Sequence, residues 1–148
     1  MLGSGSFSTV VLARSKETGE TVALKKVADV LSSQEAARRV LREICILRRV
    51  AHPAVIALRD AFVAPSTRGP RGLDKEGRLV PMSLDAYIAM EYAPDGDLFS
   101  LRGQLTDGVV ADLTAQVASG LAHLHAHGVW HRDIKSANIL LARGGDGR

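Results

Sequence analysis

The chain has 148 residues, of which 46% are hydrophobic and 24% charged, and its formal net charge is +3 at pH 7. This balance is typical of an ordinary globular domain and excludes disordered, collagen-like and coiled-coil proteins. The sequence has no run of about 18 apolar residues, so a membrane-spanning helix is not expected. Residues 1–10 lack the features of a signal peptide, which predicts a cytoplasmic or otherwise intracellular protein.

Charge and cysteine content say little about partners. A charge of +3 without a basic motif beside aromatic residues does not predict nucleic-acid binding, and no membrane partner is expected. The single cysteine, Cys45, has no second cysteine with which to form an internal disulfide. Its apolar and basic neighbours in a predicted helix indicate a packing role. The oligomeric state is left open.

The first part of the chain reads as short strands followed by one helix. Residues 2–11 are rich in glycine and serine and lead into an apolar strand pattern, as at the tip of a hairpin. A turn at 16–19 precedes a predicted strand over 20–27. A helix follows, with Ser32 or Ser33 as its cap. Its core-facing positions are predicted to be Ala36, Ala37, Val40, Leu41, Ile44 and Leu47.

The rest of the chain reads as strands separated by a loop and then as mainly helix. Residues 55–63 and 84–91 have strand composition, whereas 64–83 holds prolines, glycines and mixed charges and predicts an exposed loop. The break at 93–96 precedes a short helix near Asp97. A long amphipathic helix is predicted from Thr106 to His127, with Gly128 as its stop. This order favours a two-lobed α+β fold over alternating βαβ units.

A small-residue stretch opens the chain, with glycines at positions 3 and 5 just before an apolar strand. Gly3 and Gly5 would allow the backbone to approach a phosphate group closely, because a side chain there would collide with it. Such stretches occur in many folds, so this one alone favours a nucleotide loop only weakly.

A lysine lies inside the apolar strand segment 22–25. Burying the Lys25 ammonium without a partner would be unfavourable, so a nearby acidic group is expected. Glu43 follows the same inward arc as the apolar residues of the predicted helix, and we predict a Lys25–Glu43 ion pair. These two residues alone leave open another interpretation, in which Lys25 extends to solvent and Glu43 balances nearby arginines.

A second polar cluster follows the long helix, in the segment 130–138. It holds Asp133, Lys135 and Asn138 within six residues. A loop with these groups can orient a hydroxyl nucleophile, neutralise a moving phosphoryl group and ligate a magnesium ion.

These motifs occur in the order and spacing of eukaryotic protein kinases, which the chain resembles: a glycine-rich loop, Val-Ala-Leu-Lys at 22–25, a helix glutamate and His-Arg-Asp at 131–133. The resemblance implies a kinase-like fold, truncated, with a small β-rich N-lobe and the first helices and catalytic loop of the helical C-lobe. It implies an N-lobe over 1–91 with a loop insertion at 64–83, a hinge at 92–96 and the start of the C-lobe over 97–148.

The resemblance also implies a role for each nucleotide-binding position. Lys25 would hold the α and β phosphates of ATP, and Glu43 would fix Lys25. Met90 would guard the back of the pocket, the backbone at Glu91 and Ala93 would bind adenine, and an aspartate would lie near the ribose. The complete implied ATP-binding set is Leu2, Gly3, Gly5, Val10, Ala23, Lys25, Glu43, Met90, Glu91, Ala93 and Asp97.

In the catalytic loop the resemblance makes Asp133 the catalytic aspartate, Lys135 the lysine that steadies the γ phosphate, and Asn138 a magnesium ligand. A lysine at 135 matches the serine/threonine-specific class. The implied cofactors are therefore ATP and Mg²⁺, and the implied partner is a protein with a serine or threonine acceptor. A non-catalytic kinase-like scaffold is disfavoured because Lys25, Glu43, Asp133 and Asn138 are all present.

Three departures from the kinase pattern qualify the resemblance. Ser8 stands where the third loop glycine is usual, and Met1 lies one residue before the loop. An Asp-Phe-Gly segment is missing before Arg148, and Asp146-Gly147 is interpreted as a hairpin turn. The 148-residue chain alone is therefore expected to have little or no kinase activity. The alternative is a fragment that binds a nucleotide or a partner without catalysis.

Overall fold

The computed structural model describes residues 1–4, 8–67 and 69–142, so Gly5 and the turn expected at 146–147 lie outside the described residues. Short 3₁₀ helices occur at Leu98–Leu101 and Ser136–Asn138. The strands and α-helices are β1 (Gly3–Ser4), β2 (Ser8–Arg14), β3 (Thr21–Val27), α1 (Gln34–Arg49), β4 (Leu58–Pro65), β5 (Arg71–Leu73), β6 (Leu79–Pro81), β7 (Leu84–Glu91) and α2 (Asp107–Ala126).

These elements form two compact units, and the predicted α+β class is confirmed. The β-sheet unit comprises Met1–Arg49 and Ala57–Tyr92, and the helical unit comprises Val50–Ile56 and Ala93–Arg148. The lobe and hinge bounds inferred from the sequence stay a prediction. Among the described residues, no helix is both long enough and apolar enough to cross a membrane.

The β-sheet unit is built on an antiparallel sheet with strand order β1-β2-β3-β7-β4. The turn predicted at 16–19 joins β2 to β3, and the Ser15 amide donates to the Glu20 carbonyl at 2.8 Å. Gly19 has a φ of +73°, which glycine adopts without strain. Strand β7 matches its prediction, whereas β4 begins at Leu58 rather than at 55, because a turn at 53–55 precedes it.

Helix α1 packs its apolar arc against the sheet. The Ser33 hydroxyl accepts a hydrogen bond from the Ala36 amide at 3.1 Å, so Ser33 is the cap. Val40 is buried with Val30 and Ala86, and Ile44 packs against this cluster. The predicted inward position of Leu41 is wrong, because Leu41 is 60% exposed. The predicted packing role of Cys45 is also wrong, since Cys45 is exposed. Each follows an inward residue by one position, which turns its side chain about 100° away from the sheet.

The stretch 64–83, predicted as an irregular loop, contains regular structure. Strands β5 and β6 pair in a separate two-stranded sheet. Asp74 stabilises the turn between them by accepting hydrogen bonds from the Glu76 amide at 3.0 Å and the Arg78 amide at 2.8 Å. The sequence did not predict this hairpin, because the stretch contains prolines and glycines and each strand is only three residues long.

The helical unit joins α2 to the segment 50–56. The Thr106 side chain caps α2, and Gly128 with a φ of +70° follows its end, as predicted. Leu124 is buried on the helix. The His52 ring nitrogen Nε2 lies 3.1 Å from the Ser119 hydroxyl. Gly120 allows the backbones to approach closely, because a Cβ atom there would lie 3.0 Å from the Ala54 carbonyl oxygen.

Replacing Gly120 with alanine is expected to destabilise the helical unit, because the new methyl group would press on the Ala54 backbone. The matched control is Gly108→Ala in the same helix, where a Cβ atom meets nothing within 4 Å. Alanine favours a helix over glycine by at most about 1 kcal/mol, so Gly108→Ala should stabilise. Urea unfolding of both variants measures the difference, and equal stabilities would contradict the close approach.

Candidate functional site

The strand register places several predicted ATP-binding residues on one face of the sheet. Val10 pairs with Lys25, and Ala23 pairs with Met90. Gly3 pairs with Val10. Residues directly opposite each other on antiparallel strands project to the same side, and alternate residues of a strand share a face. These five residues therefore share one face, which we call the lysine face. The sequence interpretation missed Leu12 and Ile88, which the register adds to this face.

Lys25 and Glu43 form the ion pair predicted from the sequence. The Lys25 ammonium lies 2.7 Å from Glu43 Oε1 and 2.8 Å from Oε2. The side chains are only 24% and 33% exposed, so Lys25 does not extend to solvent and the alternative interpretation is wrong. Glu43 follows the buried Val40 by three residues, which places both side chains on the side of α1 that faces the sheet. Two of the three ammonium donors are used, which leaves one for a phosphate oxygen.

A second ion pair, which the sequence interpretation missed, lies on the opposite face of the sheet. Lys26 Nζ lies 2.8 Å from Oδ2 of Asp85, whose side chain is fully buried. Burial raises the pKa of Asp85, but hydrogen bonds from Lys26, the Asp29 amide and the Ser66 side chain outweigh it and leave the pKa below its ordinary value. The available signal was an acidic residue inside the apolar strand β7.

The loop at 131–138 brings together the three predicted catalytic side chains. Lys135 Nζ donates to Asp133 Oδ2 at 3.0 Å, and Asn138 Nδ2 donates to the same oxygen at 2.8 Å. Asn138 also donates to the Asp133 carbonyl at 2.9 Å, which closes the loop. Arg132 has a φ of +64°, an unusual conformation for a non-glycine residue that turns the chain into Asp133.

The electrostatics of this loop keep Asp133 ionised. The hydrogen bond from Lys135, followed by that from Asn138, holds the pKa of Asp133 below its ordinary value. The carboxylate is therefore a hydrogen-bond acceptor at neutral pH. Asn138 donates through its nitrogen, and its Oδ1 accepts no hydrogen bond from the described residues. An amide oxygen is a ligand that suits Mg²⁺, so Asn138 fits a place beside that ion.

The segment after the loop is anchored to the residues around Asp97. Leu98 donates its amide to the Ile139 carbonyl at 2.9 Å, and Leu141 donates to the Gly96 carbonyl at 2.8 Å. Asp97 caps the 3₁₀ helix by accepting from the Ser100 amide at 2.8 Å, and this bond lowers the pKa of Asp97. The helix expected near Asp97 is thus a single 3₁₀ turn rather than an α-helix.

The other positions predicted to bind ATP include Leu2, Glu91 and Ala93. Leu2 is 47% exposed beside β1. The Glu91 carboxylate accepts from the Ala57 amide at 3.2 Å. The Ala93 backbone forms no hydrogen bond with another described residue. Within the described ranges, no group of three or more His, Cys, Asp or Glu side chains could hold a metal ion.

Replacing Lys135 with methionine is expected to raise the pKa of Asp133 toward its ordinary value of about 3.9, because the largest stabilising partner of the carboxylate is lost. Carbon-13 NMR of the carboxyl group over a pH titration measures the change. Lys75→Met, which removes a lysine from the β5–β6 turn, is the control and should leave the Asp133 titration unchanged. An unaltered Asp133 pKa in Lys135→Met would contradict the ion pair.

Comparison with known proteins gives a consistent result. A model of the protein kinase domain matches residues 1–147. The chain is 37% identical to inhibitor of nuclear factor kappa-B kinase subunit beta of Bos taurus over 97% of the chain and 18% of that protein. It is 37% identical to human calcium/calmodulin-dependent protein kinase type 1B over 95% of the chain and 36% of that protein.

A plant relative completes the comparison. The chain is 36% identical to CBL-interacting serine/threonine-protein kinase 13 of Arabidopsis thaliana over 95% of the chain and 25% of that protein. The chain thus spans between 18% and 36% of the length of these three relatives. With a family match over nearly every residue, the chain belongs to the protein kinase family.

Proposed function

We propose that the protein carrying this chain transfers the γ-phosphoryl group of ATP, with Mg²⁺, to a serine or threonine hydroxyl of a protein. The observation that carries the proposal is the catalytic loop, in which Lys135 and Asn138 both donate to the Asp133 carboxylate. Phosphoryl transfer depends mainly on positioning and charge stabilisation, and these three groups supply a hydroxyl acceptor, a cation and a metal ligand.

The β-sheet unit is proposed to bind the phosphates and base of ATP on the lysine face. Lys25 would donate to the α and β phosphates, and the bidentate contact with Glu43 would hold its ammonium in place. Val10, Ala23 and Met90 would contact the adenine side of the nucleotide. The further positions proposed to contact ATP are Leu2, Gly3, Gly5, Glu91, Ala93 and Asp97.

The helical unit is proposed to bind the acceptor hydroxyl. Asp133, held as a carboxylate, would accept a hydrogen bond from the hydroxyl and orient its oxygen toward the phosphorus atom. A carboxylate with a lowered pKa is a weak base, so orientation rather than early proton removal is its expected contribution. Lys135 would donate to the γ phosphate, and Asn138 would ligate Mg²⁺, which neutralises phosphate charge when bound.

The serine/threonine preference is proposed from Lys135 and from the relatives. The Arabidopsis relative is named a serine/threonine-protein kinase. A second candidate, nucleotide or partner binding without transfer, differs from the first in one measurable respect, because it predicts no phosphate incorporation.

Replacing Lys25 with methionine is expected to weaken MgATP binding and lower transfer by at least about 100-fold, because a preorganised cation at the phosphates is lost. Isothermal titration calorimetry measures binding, and labelled-phosphate incorporation into serine- and threonine-containing peptides measures transfer. Both are measured with the 148-residue chain and with the longest natural polypeptide that contains it. Lys16→Met, in the exposed turn between β2 and β3, is the control. Equal MgATP affinity in Lys25→Met would contradict the assigned role.

Replacing Asp133 with asparagine is expected to lower transfer by about 10²- to 10⁴-fold while MgATP binding is retained, because a neutral amide is a weaker acceptor for the hydroxyl than the carboxylate. Asp107→Asn, in the exposed first turn of α2, is the matched control and should retain full activity. MgATP binding with no transfer by any wild-type polypeptide would replace the proposal with the second candidate. No MgATP binding at all would overturn the nucleotide role.

A further inference from the structure

Asp85 lies outside the residues proposed to touch ATP, yet it is the best-connected buried charge among the described residues. Its side chain is 0% exposed at the start of β7. Its Oδ2 atom lies 2.8 Å from Lys26 Nζ, its Oδ1 atom accepts from the Asp29 amide at 2.9 Å, and the Ser66 side chain also donates to it. One carboxylate therefore joins β3, the connection from β3 to α1, and the residue after β4.

The contact with Asp29 fixes the entry to α1. Asp29 has a φ of +47°, in the left-handed region that aspartate adopts more often than most non-glycine residues. The next residue, Val30, donates its amide to the Leu84 carbonyl at 2.8 Å. Two successive residues of the connection are thus bound to two successive residues of β7.

The connection between β3 and α1 also packs against α1 through Val30. Val30 is buried with Val40 of α1 and Ala86 of β7, and Ile44 packs against this cluster. Glu43 is adjacent to Ile44 and lies one helical turn after Val40. A displacement of the connection would therefore move the helix that presents Glu43 to Lys25.

Strand β3 carries Lys25 and Lys26 on opposite faces of the sheet. Lys25 pairs with Glu43 on the lysine face, whereas Lys26 pairs with Asp85 on the opposite face, because neighbouring strand residues project to opposite sides. Asp85 consequently cannot share a face with the proposed nucleotide contacts. An effect of Asp85 on ATP can therefore pass through α1, which presents Glu43 on the lysine face.

We infer that Asp85 is a positioning residue that holds the β3–α1 connection, and through it Glu43, so that Lys25 is presented to the nucleotide. The inference rests on the proposed function for its nucleotide part, while its effect on α1 is independent of that function. A carboxylate suits this position because it accepts from an amide, a hydroxyl and an ammonium at once, and a neutral side chain accepts fewer and weaker hydrogen bonds.

The primary test is Asp85→Asn, which keeps the side-chain shape and removes the charge. Amide hydrogen exchange in α1 should become faster than in the wild type. If only about a tenth of the molecules keep α1 in place, the affinity for MgATP should fall about tenfold. The matched control is Asp74→Asn, which removes the partner of Arg78 in the β5–β6 hairpin and should leave α1 exchange and MgATP affinity unchanged.

A double-mutant cycle with Glu43→Gln distinguishes positioning from general stabilisation. When Asp85 acts through Glu43, the affinity losses of Asp85→Asn and Glu43→Gln are not additive, because the second change removes an interaction already weakened. A purely structural Asp85 gives additive losses, or none, and overturns the inference. Wild-type-like α1 exchange in a folded Asp85→Asn protein also overturns it.

Should Asp85→Asn fail to fold, the variant Lys26→Met with Asp85→Asn removes both charges and leaves no unpaired buried ion. The same readouts then apply, with faster α1 exchange expected and unchanged exchange contradicting the inference. If the wild-type chain binds no MgATP, the proposed function is wrong. The role of Asp85 is still tested in that case, because amide exchange in α1 can be compared between Asp85→Asn and the wild type.

Discussion

The pairing of charges carried by a central strand is the constraint on which the β-sheet unit depends. Strand β3 places two consecutive lysines inside an apolar sheet, and each must meet an acidic partner, because an unpaired ammonium at a buried site is unfavourable. Glu43 on α1 serves Lys25, and Asp85 on β7 serves Lys26. The strand is thereby tied to a helix on one side and to a neighbouring strand on the other, and the position of α1 follows from both ties.

The two ion pairs differ in exposure, and this difference suits different tasks. The Lys25–Glu43 pair is partly open, so its ammonium can still reach a phosphate oxygen. The Asp85 carboxylate is fully buried and already paired with Lys26 and the Asp29 amide, so it is not accessible to a ligand. A buried pair of this kind adds little net stability over an apolar replacement, but breaking it leaves an isolated charge. Its clearest contribution is therefore to specify one arrangement of the connection to α1.

Much of this arrangement was predictable from the sequence, and the parts that were not have physical reasons. Lys25 was found because a charge in an apolar strand demands a partner, and helical spacing then selected Glu43. The same rule applied to Asp85, but its main partner, Lys26, lies on the opposite face of β3 from Lys25 and was not assigned a partner. The contact between Asp85 and the Asp29 amide depends on a backbone conformation with positive φ, which composition does not reveal.

Local patterns failed where elements were short or where the apolar arc was narrow. Leu41 and Cys45 follow inward positions of α1 by one residue, and their apolar character predicted a wider buried face than the helix has. The catalytic loop was predictable because its side chains are close in sequence. Asp133, Lys135 and Asn138 meet through contacts within six residues, so no long-range folding step is needed to bring them together. By contrast, the lysine face requires the register of four strands and the packing of a helix, so its geometry depends on long-range contacts. Local charge pairing therefore sets the catalytic loop, whereas long-range charge pairing sets the lysine face.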